Sequence, residues 1–223
     1  MVMINDYCLY SGTNWMQEIV SLVLNGGDLT PVQTIPNWAR VPWLETIQPT
    51  VPLDARTSPR AMATHLPYHC MSPSFFTSKA KVIYVTRNPK DVTVSFYKFQ
   101  QQASFIDDPG TFDQFLDFHL AGTSKGDLKV VLCQIAQFLG RELSQEVLEK
   151  VADHCQFSNM KKSAIANPAL QHPCMEDLKT LFFRKGIAGD WRNHFSPEQE
   201  ARFTAVIKEE MKGTHYNFPW DNE

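Results

Sequence analysis

Apolar residues first settle into a period at Trp15. Trp15, Ile19, Val20, Val23 and Leu24 fall on one side of an amphipathic helix over 15–24, and Gly26-Gly27 stops it. Residues 28–59 lose the period. Pro31, Pro36, Pro42, Pro49, Pro52 and Pro59 mark a long loop with short turns of structure. Loops of that length in compact domains often serve as a lid or pocket wall, and Trp38, Pro42 and Trp43 could line a cavity there or simply pack the loop. Two strand-like runs follow. Arg60–Thr64 is short, whereas Val82-Ile83-Tyr84-Val85-Thr86 is an unbroken apolar and β-branched run, as expected of a buried parallel strand. A helix carrying Val92, Ser95, Phe96 and Phe99 comes next, which completes half of a βαβ unit.

The rest reads as helix. Thr111 with Gln114 forms a capping box ahead of Phe115, Leu116 and Leu120. Leu128, Leu132, Ile135 and Leu139 make another stripe, closed by Gly140, and Ser144 caps a segment with Val147, Leu148 and Val151. Ser196-Pro197-Glu198-Gln199 is a second capping box with proline at the first helical position, opening a helix through Phe203, Val206, Ile207 and Met211 to Gly213. The pattern predicts one α/β domain over residues 1–223, large enough for a substantial core.

Composition narrows the chemistry. A net charge of −3 argues against a general polyanion binder, so an anion site must be local and built from a few placed cations. Five cysteines (Cys8, Cys70, Cys133, Cys155, Cys174) without CxxC spacing suit reduced thiols of a cytosolic protein better than disulfides or zinc. Asn5-Asp6 interrupts Met1–Ile4 far short of a signal-peptide core, and no apolar run approaches membrane-spanning length.

Four short segments carry candidate chemistry. Ser11-Gly12-Thr13-Asn14-Trp15 is a small polar turn entering a helix, where backbone N–H groups and the helix dipole converge on an anion. Such turns are common, and this one lacks the usual cation: no Lys or Arg lies among residues 1–15. Thr64-His65-Leu66-Pro67 puts a histidine at the carboxyl end of a strand, where α/β proteins bind ligands and where imidazole can act as a general base. Arg87-Asn88-Pro89-Lys90-Asp91 with Ser95 follows the other strand, so Arg87 and Ser95 could reach one phosphate. Arg184-Lys185-Gly186, then Gly189-Asp190-Trp191, offers two cations on a flexible backbone. Each has a bland alternative as a solvated turn or a capped junction.

In this order the four segments resemble the cytosolic sulfotransferases, which use 3′-phosphoadenosine 5′-phosphosulfate as sulfuryl donor. The resemblance runs along nearly the whole chain. It implies a three-layer α/β sandwich with a central parallel sheet and a P-loop-like donor site. Ser11, Gly12, Thr13 and Asn14 would then cradle the 5′-phosphate, while Trp15, Phe157 and Met160 contact adenine. Arg87, Ser95, Arg184, Lys185 and Gly186 would hold the 3′-phosphate, and His65 would take the acceptor's proton, with no metal required. Ala63, where phenol-preferring members carry Lys, together with Pro42–Glu45 and Ser74-Phe75-Phe76, leans toward a hydrophobic alcohol or steroid acceptor.

The chain also departs from that pattern. Tyr10 stands where the donor-loop Lys belongs, and residues 1–10 read as foreign sequence in place of the first strand. Ala121-Gly122-Thr123 passes almost directly to Asp127-Leu128-Lys129, where the family has a helix and a further sheet strand. The dimer motif survives only as Arg192, Ser196-Pro197 and Ala201, which leaves a homodimer possible but its motif degenerate. These junctions imply a truncated or spliced form, with reduced or absent catalysis as the alternative to an active enzyme. A nucleotide kinase is excluded, because no Gly-Lys-Ser/Thr follows a glycine-rich turn.

Overall fold

A computed structural model describes residues 2–5, 12–45, 56–66, 70–101, 110–113, 128–163, 165–166 and 184–212. Its sheet is entirely parallel. Strand β1 (Val2–Asn5) lies in the middle, flanked by β2 (Ala61–Thr64) and β3 (Lys81–Tyr84). The register aligns Asn5 with Thr64 on one side and with Tyr84 on the other, so all three strands end together. Val2–Asn5, within a segment read from sequence as foreign, thus supply the central strand. Val2-Met3-Ile4 is an adequate strand former whatever its origin.

Helix α1 (Thr13–Leu24) packs on the sheet and against α2 (Thr30–Thr34), α3 (Asn37–Arg40) and α6 (Leu128–Leu139). The two short helices α2 and α3 are the turns of structure expected inside the proline-rich stretch. Helix α4 (Pro73–Phe76) precedes β3, and α5 (Pro89–Gln100) follows it. Among the described residues, helices α7 (Gln145–His154), α8 (Phe157–Lys162) and α9 (Pro197–Glu210) follow, with a 3₁₀ turn at Asp190–Asn193. Both predicted caps that can be followed are present. Ser144 accepts from the Val147 N–H, and Ser196 and Gln199 form the full capping box. The Thr111–Gln114 box continues beyond the described residues, as does Gly213. Among the described residues, no helix is long and apolar enough to cross a membrane.

Two expectations need correction. Helix α1 is buried nearly all round rather than on one face: Gln17 and Glu18 are as inaccessible as Ile19, Val20, Leu22 and Val23. Its polar side is satisfied from within. Gln17 donates to the Val41 carbonyl at 2.9 Å, Arg40 pairs with one oxygen of Glu18, and His154 Nε2 lies 3.2 Å from the other. Strand β3, expected to be buried, is instead exposed, with Val82 at 41% and Tyr84 at 61%. It pairs with β1 alone among the described strands, so its outer edge is where a further strand would otherwise cover it. On the opposite side Trp43 forms a parallel bridge to Ala63, extending the β2 edge.

Gly27 shows why α1 must stop where it does. Its φ of +83° is a left-handed conformation, and a Cβ there would come within 2.2 Å of Val147 on α7. Glu18 makes the more testable claim. Truncating it leaves Arg40 buried without its partner, so Glu18→Ala should cost about 3–5 kcal/mol in chemical denaturation. A loss below about 1 kcal/mol would show that the buried pair contributes little.

Candidate active site

The common ending of the three strands creates the site. The chain leaves β1 at Asn5 and re-enters described structure at Gly12, which caps α1 in a left-handed conformation at φ 112°. Among the described residues no side chain caps this helix, and its first turn carries no acid. The N–H groups at the start of a helix present positive potential, and the turn itself adds no negative charge to it. Ser11 and Tyr10 lie outside the described residues. Asn14 is held by Asn37, whose Nδ2 donates to its Oδ1 at 2.8 Å, and Asn37 also donates to Gln17.

His65 follows β2 directly and is half-exposed. Its backbone N–H donates to Glu45 Oε1, and its ring stacks on Trp43 with centroids 4.1 Å apart. Backbone and ring are thus both fixed from the segment 43–45. That segment is locked in turn by hydrogen bonds between Ala63 N–H and the Pro42 carbonyl (2.9 Å) and between Leu44 N–H and the Ala63 carbonyl (2.8 Å).

Beyond β3, Arg87 Nη1 donates to Ser95 Oγ at 2.9 Å across the first turns of α5, which brings the two side chains together. Asn88 caps that helix through the Lys90 N–H. Trp15, Phe157 and Met160 also come together. Met160 is buried, and both rings pack against its small cluster. The Trp15 indole donates to the Cys155 carbonyl at 2.9 Å, which fixes its orientation. Gly186 lies against Phe157 so closely that a Cβ would meet the ring at 2.3 Å. Lys161 Nζ reaches the Arg184 carbonyl at 3.4 Å. The adenine-type residues and the Arg184–Gly186 loop therefore form one continuous wall.

Two carboxylates given no role from sequence tie this wall to α5. Buried Asp91 accepts the N–H of Gly189 at 2.6 Å and of Trp191 at 3.0 Å. Buried Asp190 accepts from Arg184 Nη1 at 2.6 Å, Lys185 Nζ at 2.7 Å and Asn193 Nδ2 at 3.0 Å. Burial would raise the Asp190 carboxyl, but hydrogen bonds from Lys185, Asn193 and Arg184 outweigh it and hold it well below the usual carboxylate range. Both acids were visible inside their motifs, but nothing in the sequence said which backbone or side chain they would grip. Asn37 left no signal in the sequence, and Trp43 and Glu45, read there only as pocket or acceptor-side residues, were not recognised as the groups that hold His65.

Cys155 is excluded as a nucleophile. Burial, followed by nearby Glu18, pushes its thiol far above the ordinary range. What remains is the start of α1, a fixed histidine and cations on two loops, all at the carboxyl end of a parallel sheet. That arrangement suits transfer of an anionic group between oxygens.

Comparison with known proteins identifies the lineage. The family model described as "Sulfotransferase domain" matches residues 10–127 and 123–215, two pieces that overlap at 123–127, where Ala121-Gly122-Thr123 passes to Asp127-Leu128-Lys129. The mouse "Sulfotransferase 2B1" is 41% identical over 241 residues, covering 95% of this chain and 71% of that protein. The guinea-pig "3-beta-hydroxysteroid sulfotransferase" is 34% identical, covering 95% of this chain and 84% of that protein. An alignment of 241 residues exceeds the 223 of this chain, so the relative carries internal residues that this chain lacks.

Among solved structures, a retinol dehydratase in complex with androsterone and the inactive cofactor PAP superposes with a TM-score of 0.81 at 22% identity, covering 98% of this chain and 82% of that one. Mouse sulfotransferase SULT7A1 complexed with PAP gives 0.73 at 24% identity, covering 96% and 85%. At those identities the structures speak to the fold, which is the same α/β fold, with three strands among the described residues here. Matched along both pieces of its length and by relatives of high coverage, the chain belongs to the sulfotransferase family.

Proposed function

We propose that this chain transfers the sulfuryl group of 3′-phosphoadenosine 5′-phosphosulfate to a hydroxyl of a small hydrophobic acceptor: a steroid, another alcohol or a phenol. One observation carries the reading. The register of β1 with β2 and β3 brings the start of α1, His65 and Arg87 to one end of the sheet, and Asp91 bonds the Arg184–Gly186 side to the same end. The relatives named for hydroxysteroids and the neighbours bound to PAP or a steroid support the same chemistry.

The residues fit the donor. The first turn of α1, opened by Gly12, Thr13 and Asn14 after Ser11, offers N–H groups and no carboxylate to a 5′-phosphate. Trp15, Phe157 and Met160 present an apolar wall for a purine. Arg87 with Ser95, and Arg184, Lys185 and Gly186, are the cations and hydroxyl for a 3′-phosphate. When bound, the donor supplies an activated sulfuryl group whose leaving portion is a stable phosphate. His65 accepts the acceptor's hydroxyl proton as its oxygen becomes nucleophilic, and its stacking on Trp43 keeps the imidazole from turning away. Trp43 then also borders the acceptor's approach.

Tyr10 supports a second reading, a nucleotide-binding relative with impaired catalysis. No cation precedes Gly12 to neutralise charge on the leaving oxygen, and removing one such group commonly costs about a hundredfold or more.

Sulfate transfer to a hydroxysteroid separates these readings. Restoring the cation as Tyr10→Lys should raise the rate by roughly a hundredfold, and an unchanged rate would remove Tyr10 as the reason for low turnover. His65→Ala should reduce transfer at least about a hundredfold while nucleotide binding persists, and full activity in that variant would end the assignment of the base. Gly186→Ala drives a Cβ into Phe157 from a left-handed backbone, so calorimetry should show donor-bisphosphate affinity falling about tenfold or more. Unchanged affinity would place the nucleotide elsewhere.

A further inference from the structure

The two cations assigned to the 3′-phosphate belong to consecutive residues and would repel each other if left alone. Arg184 Nη1 and Lys185 Nζ instead meet different oxygens of a single carboxylate, Asp190, at 2.6 and 2.7 Å. That carboxylate is buried, its side chain 1% accessible, while Lys185 is 45% accessible and Arg184 18%. The acid is therefore the fixed body and the cations are arms extending from it toward solvent. Each arm commits one nitrogen inward. Arg184 retains the rest of its guanidinium fork and Lys185 its remaining ammonium hydrogens.

Asp190 is itself fixed. Asn193 Nδ2 donates to it at 3.0 Å, and His194 Nε2 stands 3.4 Å away. Burial, ahead of the opposing attraction of Asp190, holds His194 below its ordinary value, and the direct hydrogen bonds to the carboxylate from cationic groups come from Arg184 and Lys185. The backbone on either side of Asp190 is pinned by Asp91, which accepts the N–H of both Gly189 and Trp191. Asp91 sits in the first turn of α5, in the same run as Arg87 and on the same helix as Ser95. An unbroken set of bonds thus leads from the Arg87–Ser95 pair, along α5, through Asp91 and Asp190, to Arg184 and Lys185.

We propose that Asp190, anchored through Asp91, is the positioning carboxylate of the 3′-phosphate subsite: it holds the Arg184 and Lys185 side chains in one orientation so that they act together with Arg87 on the phosphate. This rests on the donor reading above and adds a residue that touches no donor atom. Simple electrostatics points the other way. Removing a negative charge beside an anion site should tighten it, so a loss of affinity distinguishes positioning from mere neutralisation. Arg and Lys side chains have many rotamers, and freeing both disperses the charges that the phosphate needs in one place.

Calorimetric titration of the full chain with adenosine 3′,5′-bisphosphate and with adenosine 5′-monophosphate isolates the 3′-phosphate. In Asp190→Asn, affinity for the bisphosphate should fall about tenfold while that for the monophosphate stays within about twofold. Exposed Asn193 can be changed without touching the core, and Asn193→Ala should show a weaker loss with the same selectivity. Unchanged or tighter bisphosphate binding in both variants would overturn the proposal, as would an equal loss of both nucleotides. If the unaltered chain binds neither nucleotide, the donor reading falls and this proposal with it. If the chain discriminates between them and the variants match it, the proposal alone falls.

Discussion

Everything at the site depends on where β1 stops. Because Asn5 is in register with Thr64 and Tyr84, three parallel strands release their chains at one level. His65, Gly12 and Arg87 leave those strands within a few residues, so no long excursion is needed to bring base, helix start and cation together. A parallel sheet concentrates ligand groups at its carboxyl end for this reason. The strand responsible is the segment that resembled the family least. Its four residues need only β propensity and backbone pairing to do the work, so a change of sequence there is compatible with the same geometry.

The start of α1 is useful only if the helix cannot tilt or slide. Burial of both of its faces prevents that, with Ile19, Val20, Leu22 and Val23 on the apolar side and Gln17 and Glu18 on the polar one. Taking Glu18 out of water is expensive, and Arg40 and His154 together offset the cost while crossing from α3 and α7. The same junction fixes Trp15 through the carbonyl of Cys155, the residue next to His154. Helix position and the wall beside it are therefore set by one buried polar knot.

Legibility from sequence follows the range of the interaction. Local chemistry was readable. The Ser196–Gln199 box, the Ser144 cap and the stop at Gly26-Gly27 each lie within a few residues, and all are present. Long-range partners were not. Asp91 is nearly a hundred residues from the N–H groups it accepts, and Glu18 is paired from α3 and α7, so neither bond has a periodic signature. The exposure of β3 was misread for a related reason. Val82–Tyr84 has the composition of an interior strand, but whether it is interior depends on a neighbour supplied by another part of the chain. The match to the family in two pieces and an alignment longer than the chain show that the relatives carry internal residues this chain lacks.

Hydrogen–deuterium exchange with and without adenosine 3′,5′-bisphosphate tests the convergence most directly. If the loops after β1 and β3 and the Arg184–Gly189 segment form one nucleotide site, bound ligand should slow exchange together at 12–16, 87–95, 157–160 and 184–191. Protection confined to one of these segments, or none at all, would contradict a shared site and return the four motifs to separate structural roles.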